Sequence, residues 1–355
     1  MSEIFINGIS CISPQETFNN SDFPAEWTDY SGDFLSCREP VYKDHINPTL
    51  ARRLSRYIKM GVTTALTALK DAGTEMPEAI ITGTGLGSTE DNEKILLAMH
   101  ENQERMINPT HFIQSTHNTI SSQIAIMLKC HHYNNTYVHR GFSFESALLD
   151  AMLLLREGRS RTALVGGVDA LTEGHYINYE RISRWRRNRS GSLKMITDQG
   201  KGVIPGEGSA HFVLSTDKTE TSYASLKALK LVYKPAEPAA LTDAASNLLK
   251  DGGLLPQDIS LLLYGHNGDP EGDRWYQDFH QSLFCGTPSA YYKHLCGEYD
   301  TAGAFALWMA SMIMRRGRVP SGIMTKEGAA GDIRHLLIYT HHRGDQHVLC
   351  LLSRV

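Results

Sequence analysis

YVHRGFSFESALLDAMLLLREG, residues 137–158, reads as the end of a short strand, a glycine turn and a helix. Apolar residues recur on a helical period from Phe144 to Leu155, and Arg156-Glu157-Gly158 closes the run. The next segment, TALVGGVDAL (162–171), has the apolar character of a buried strand. Strand, helix and strand at this spacing form a right-handed crossover between strands of a mainly parallel sheet. Such a strand-to-helix turn commonly holds a nucleophile at the positive end of the helix. The residue at the turn here is Gly141, which has no side chain to react.

Working outward, EIFINGISCIS (3–13) alternates as a strand, and ARRLSRYIKMGVTTALTALKDAG (51–73) is a helix stopped by Gly73. EAIITGTGLGS (78–88) is a buried strand that runs into a glycine turn. A helical stretch around 90–106 precedes NPTHFIQSTHNTISSQIAIMLK (108–129), where Asn118 or Thr119 starts a helix. GVIPGEGSAHFVLS (202–215) is a glycine turn and a strand. The second half repeats the element types with ASLKALKLVY, a helix near 240–251, SLLLYGHNGD, the helix DTAGAFALWMASMIMRRG, and the strands HLLIYTHH and HVLCLLSRV. The order of elements implies a duplicated α/β chain, although no sequence repeat is visible.

With 355 residues, 41% of them hydrophobic, the chain can bury a large core. A net charge of −4 gives no field for nucleic acid or anionic lipid, and the apolar runs fall short of a membrane span. The start MSEIFINGIS is acidic where a signal peptide is cationic, so it reads as mature sequence. Six cysteines with no CxxC pair fit a reducing cytosol, and the expected location is cytoplasmic. The histidines lack a recognisable ligand spacing, so no metal is expected. GTGLGS lacks the complete dinucleotide fingerprint and reads as the fold's own glycine turn, so no cofactor is expected.

Several segments together resemble the β-ketoacyl synthase family of the thiolase fold. FINGISCISP resembles its opening strand, RRLSRYIKMGVTTALTALKDAG its first long helix, and ITGTGLGS the strand after it. NPTHFIQSTHNTISSQIAI, LREGRSRTALVGGVDAL, GKGVIPGEGSAHFVLS and YYKHLCGEYDTAGAFA resemble later segments, in family order. The resemblance implies duplicated βαβ halves, 1–214 and 215–355, in a layered αβαβα arrangement. It also implies a cysteine at the elbow that accepts an acyl chain, and two histidines that stabilise an oxyanion while malonyl carrier protein is decarboxylated.

Those positions are altered. An ungapped count from Gly158 and from Gly166-Gly167 puts Gly141 at the family's cysteine, and no cysteine lies between Cys130 and Cys285. For the first histidine, an ungapped match gives Gly265 and a one-residue gap gives His266. For the second, Lys293 and Gly297 of the family motif are retained but the next residue is Glu298. A carboxylate repels a developing oxyanion, and only a protonated Glu298 donates to it. The family's Gly-Phe-Gly-Phe gate is replaced by YTHHRGDQHVLC.

The pattern resembles the chain length factors, non-catalytic subunits that pair with an active ketosynthase. The implied partners are that ketosynthase as a heterodimer, or a second copy when isolated, and an acyl carrier protein. Arg184, Arg186 and Arg187 of RISRWRRNR are the candidate carrier-docking residues, since guanidinium forks bind phosphate. The bland alternative is a solvated surface segment. Phe142, Ser143 and Phe144 flank the elbow at the expected acyl-binding surface. The alternative function is a ketosynthase, acyltransferase or hydrolase using Ser143, His266 and Glu298; against it, a serine here suits a helix N-cap. Dimerisation is expected through a sheet edge near 161–170.

Overall fold

A computed structural model describes residues 3–105, 108–186, 190–198, 200–325 and 331–355. The first half contains β1 (Phe5–Ile12), α1 (Pro48–Ala51), α2 (Arg56–Ala72), β2 (Ala79–Gly83), α3 (Thr89–Glu101) and α4 (Pro109–Gln114). It continues with α5 (Thr119–Leu128), β3 (Tyr133–Tyr137), α6 (Ser143–Arg156), β4 (Thr162–Asp169), α7 (Glu173–Arg181) and β5 (Gly208–Ser215). The second half contains β6 (Ala224–Tyr233), α8 (Ala239–Asp251), β7 (Leu261–Tyr264), α9 (Pro270–Leu283) and β8 (Ser289–Tyr291). It ends with α10 (Lys293–Cys296), α11 (Ala302–Arg316), β9 (His335–His342) and β10 (Gln346–Ser353).

The strand order is β3-β2-β4-β5-β1-β6-β10-β9-β7-β8. Read outward from the centre, the two halves match strand for strand. In the first, β2 runs parallel to β3 and β4, while β5 is antiparallel to β4 and β1. In the second, β7 runs parallel to β8 and β9, while β10 is antiparallel to β9 and β6. The halves join along β1 and β6 by two residue pairs, Phe5↔Ser225 and Ile6↔Ala224.

Side chains of a strand alternate between faces, and here both faces of each half are apolar. Ile80, Leu164 and Val213 pack with Ile58, Val62 and Leu69 of α2 and Ile120 and Ile124 of α5. Their neighbours Ile81, Val165 and Phe212 face the other way, onto α6 and α11. In the second half Leu263, Ile338 and Leu352 face the same central helices, while Leu262, Leu337 and Leu351 pack with α8 and α9. The result is a five-layer αβαβα stack, the thiolase-like arrangement expected from the sequence. α11 is apolar on nearly every side, from Phe305 through Trp308 to Met314, because sheet halves cover it on both faces. Truncating Trp308, which is 2% exposed, removes about 3–5 kcal/mol of such packing.

Gly73 ends α2 in the left-handed conformation at φ 65°, as its position predicted. The expected edge at 161–170 is a correction: β4 is interior, paired to β2 on one side and β5 on the other. The outer strand of this half is β3, which pairs only with β2 among the described residues. Strand order decides edges, and a local sequence pattern does not report it. No described helix is long and apolar enough to cross a membrane.

Candidate functional site: the filled elbow

β3 ends at Tyr137, and a tight turn at Arg140–Phe142 leads into α6. Arg140 adopts φ 54° there, an uncommon left-handed conformation for a residue with a side chain. Ser143 is fully buried, and its hydroxyl accepts from the His139 N–H at 2.8 Å and donates to the Arg140 carbonyl at 2.7 Å. It fastens the turn to itself and is not the N-cap, which is Phe142.

Gly141 sits beneath the β9–β10 hairpin. A Cβ added to it would lie 2.3 Å from His342 Cβ, 2.6 Å from His342 Cγ and 2.9 Å from Gln346 Oε1. The first contact is to an atom fixed by the backbone, so a change of rotamer does not relieve it. The place where a nucleophile would stand is occupied by His342. Its ring nitrogens are near two carboxylates, Nε2 at 3.5 Å from Asp300 Oδ1 and Nδ1 at 3.8 Å from Glu298 Oε1.

Glu298 and Lys293 are both buried, and the Lys293 ammonium donates to Glu298 Oε2 at 2.7 Å. Asn267 Nδ2 donates to the same oxygen at 3.2 Å, and Lys293 also reaches the His341 carbonyl at 3.4 Å. Burial pushes the Glu298 carboxyl up, but Lys293, His342 and Arg184 outweigh it and hold the group well below the usual carboxylate range. Glu298 is therefore an ionised acceptor with no proton to give an oxyanion.

The two candidates for the first histidine have different surroundings. Gly265 faces the cluster: a Cβ there would lie 2.5 Å from Thr340 Oγ1, 2.7 Å from Tyr276 Oη and 3.2 Å from Lys293 Cε. His266 turns outward instead, with Nδ1 at 3.3 Å from Asp273 Oδ2, and lines a different cavity. Ser143, His266 and Glu298 are not brought together into a serine-based triad.

Other candidates also move. Phe142 packs edge-on against His139 and Phe144 against Phe212, and neither lines the space over Gly141. Both are buried. Arg186 is buried, donating to the carbonyls of Met195 at 3.0 Å and Asn267 at 2.8 Å. It ties loops together and presents no fork to a carrier protein. Arg187 lies outside the described residues. Arg184 is half-buried and remains at the site: with His175, Tyr179, Trp185 and Arg343 it lines a cleft that ends at Glu298, Asp300 and His342.

Sequence reasoning missed Glu145, Asp300 and Gln346 in this cluster. Glu145, in the first turn of α6, is buried and lines the Gly141 cavity with Lys293, its carboxyl pushed up to about 8 by that burial. Its only signal in the sequence is an acidic residue amid an apolar helix. The nearby Cys296 supplies no thiolate, because burial raises its pKa well above the ordinary value.

The beta-ketoacyl synthase N-terminal domain model matches residues 39–220. No curated protein sequence matches the chain. Among solved structures, the ishigamide ketosynthase/chain length factor superposes with a TM-score of 0.80 at 16% identity, over 100% of this chain and 99% of its own. A beta-ketoacyl synthase from Burkholderia phymatum gives 0.81 at 15% identity, with 100% of both chains covered. A ketosynthase in complex with its chain length factor from Xenorhabdus doucetiae gives 0.77 at 16%, covering 100% of this chain and 98% of that one. Identities this low carry the fold alone; the matched segment, more than half the chain, carries the family. The chain belongs to the beta-ketoacyl synthase family.

Proposed function

We propose that this chain is a non-catalytic subunit of the chain-length-factor type, which pairs with an active β-ketoacyl carrier-protein synthase in fatty-acid-like or polyketide biosynthesis. The observation that carries the reading is the His342 side chain standing where a Gly141 side chain would go. A lost cysteine alone is a point change; a site closed over by another residue is a different use of the scaffold. Gly265, one candidate for the family's first histidine, and Glu298, at the position of the second, support the same reading. One has no imidazole, and the other is an ionised group of the wrong charge for oxyanion stabilisation.

The pairing partner is an intact ketosynthase, as in the Xenorhabdus doucetiae complex of a ketosynthase with its chain length factor. The surface that suits it is the free edge of β3, flanked by exposed Ile126 on α5, Val138 after the strand and Leu153 on α6. An acyl carrier protein visits the pair, and among the described residues of the candidate docking run Arg184 lines the cleft.

Co-expression with an intact ketosynthase encoded beside this chain tests the reading. The expected outcome is a stable one-to-one complex in which cerulenin and acyl carrier protein acylate only the partner's cysteine. Stoichiometric acylation of this chain within residues 137–147, read by mass spectrometry, would overturn it.

A further inference from the structure

Three buried polar side chains line the cavity at Gly141, and their hydrogen bonds do not close among themselves. Glu145 is 3% exposed, Gln346 8% and Lys293 2%. They come from both halves of the chain: Glu145 stands on α6, while Lys293 begins α10 and Gln346 begins β10.

Among the described residues, neither Glu145 Oε2 nor Gln346 Oε1 has a hydrogen-bond partner. The Gln346 amide is held in orientation, because its Nε2 donates to the His139 carbonyl at 3.2 Å. Its oxygen is thereby left as an acceptor beside Gly141, 2.9 Å from where a Cβ would stand. A lysine ammonium has three N–H donors. Lys293 directs one to Glu298 Oε2 at 2.7 Å and one to the His341 carbonyl at 3.4 Å, which leaves a third. Two acceptors lack a donor, and one donor lacks an acceptor. A third atom of this kind, His342 Nδ1, faces Glu298 Oε1 at 3.8 Å and is left to that carboxylate.

A single water matches the set. It accepts from Lys293 and donates one hydrogen to each oxygen, and three bonds are usual for a buried water. The space agrees, since the cavity offers about 10 Å³ to the centre of a water-sized sphere, and one buried water needs roughly 10–15 Å³ on that measure. An organic guest is too large for it. A cation would meet the Lys293 ammonium, which lines the same cavity.

We propose that this cavity is an internal water site, in which one water bridges Lys293, Gln346 and Glu145 and ties the second half to α6 of the first. The site rests on contacts within this chain, so it stands whether or not the chain pairs with a ketosynthase.

A crystal structure of the full chain, from crystals soaked in rubidium chloride, tests it. The expected result is one water within about 3.2 Å of Glu145 Oε2, Gln346 Oε1 and Lys293 Nζ, with no anomalous rubidium signal there. In solution, oxygen-17 relaxation dispersion counts long-lived internal waters. Glu145→Met keeps the length of the side chain, removes both oxygens and should lower that count by one. Gln346→Met removes a different partner of the same water and should do likewise. A rubidium peak at the position, no peak, a direct bond between the side chains in place of the water, or a count unchanged in both variants overturns the proposal.

Discussion

β3 and β8 hold the same place in the two halves, at opposite ends of the sheet, and the chain treats them differently. β8 is three residues long and its outer side is covered: the Tyr291 N–H donates to the Ile323 carbonyl at 2.9 Å, and the Thr325 N–H to the Ser289 carbonyl at 2.8 Å. β3 is five residues long, and no described segment pairs with its outer side. An uncovered edge is a template for another chain, and proteins that do not use such an edge usually block it. The inner ends contrast as well. The second half closes over the first through His342 and the Lys293–Glu298 pair, while the first half contributes a glycine. The second half is thus finished on both sides, and the first is plugged within and open without.

The largest expected effect comes from opening the closed half. Glu298→Ala leaves Lys293 buried without its partner and should cost about 3–5 kcal/mol, read by denaturant unfolding. Lys293→Met with Glu298→Leu should recover most of that loss, because neither charge is then stranded. If Glu298→Ala is neutral, the pair does not hold the second half shut.

Charging the open edge comes next. Ile126→Glu with Val138→Glu, both exposed, should raise the dissociation constant of the subunit pair at least 100-fold, about 2.7 kcal/mol. The melting temperature of the separated chain should stay within a few degrees. Thr325→Glu at the covered edge should leave association unchanged. Equal effects at the two edges, in sedimentation measurements, would erase the contrast between them.

A smaller loss is expected from refilling the plugged elbow. Gly141→Cys drives a Cβ into His342 and should destabilise the chain by about 1–3 kcal/mol. Adding His342→Gly should restore stability and make the new thiol reactive to a maleimide. Gly141→Cys with Glu298→His should still decarboxylate malonyl carrier protein at most feebly, since Gly265 remains.

The smallest effect at mildly acidic pH concerns the seam between the halves. Burial raises the Glu145 carboxyl from 4.5 to about 8, so the folded chain keeps a proton that the unfolded chain releases. That contribution is fully present below pH 4.5 and is lost as the pH rises through about 8. Glu145→Gln should therefore match the parent near pH 4.5 and gain on it by about 1.4 kcal/mol per pH unit as the pH rises towards 8. A constant difference across that range would mean Glu145 does not change its proton on folding.

The fold was legible because its signals are local and periodic: the α6 stripe, the buried strand TALVGGVDAL, the Gly73 stop. Their order along the chain carried the rest. The edge was misplaced because β4 and an edge strand look alike in sequence; the pairing that buries β4 comes from β5, about 40 residues later. At the site, the glycine at 141 was plain, but its cause was not. His342 lies 201 residues further on, and nothing in YTHHRG announces that a histidine there stands over a glycine turn. Arg186 was misjudged for a related reason. A dense basic run looks solvated until the carbonyls that surround one of its members are known.

The place of β1 at the centre of the sheet has a consequence in time. It is made before the strands it pairs with, since Ile12 pairs with Ser209 and Phe5 with Ser225. At about 5–20 residues per second, this strand waits on the order of 10–40 s for a partner. FINGISCI, buried at every position in the finished protein, spends that interval unpaired. Slow translation or heat during that interval should therefore deplete this protein through capture of this unpaired nascent strand, with no change in the stability of the folded chain.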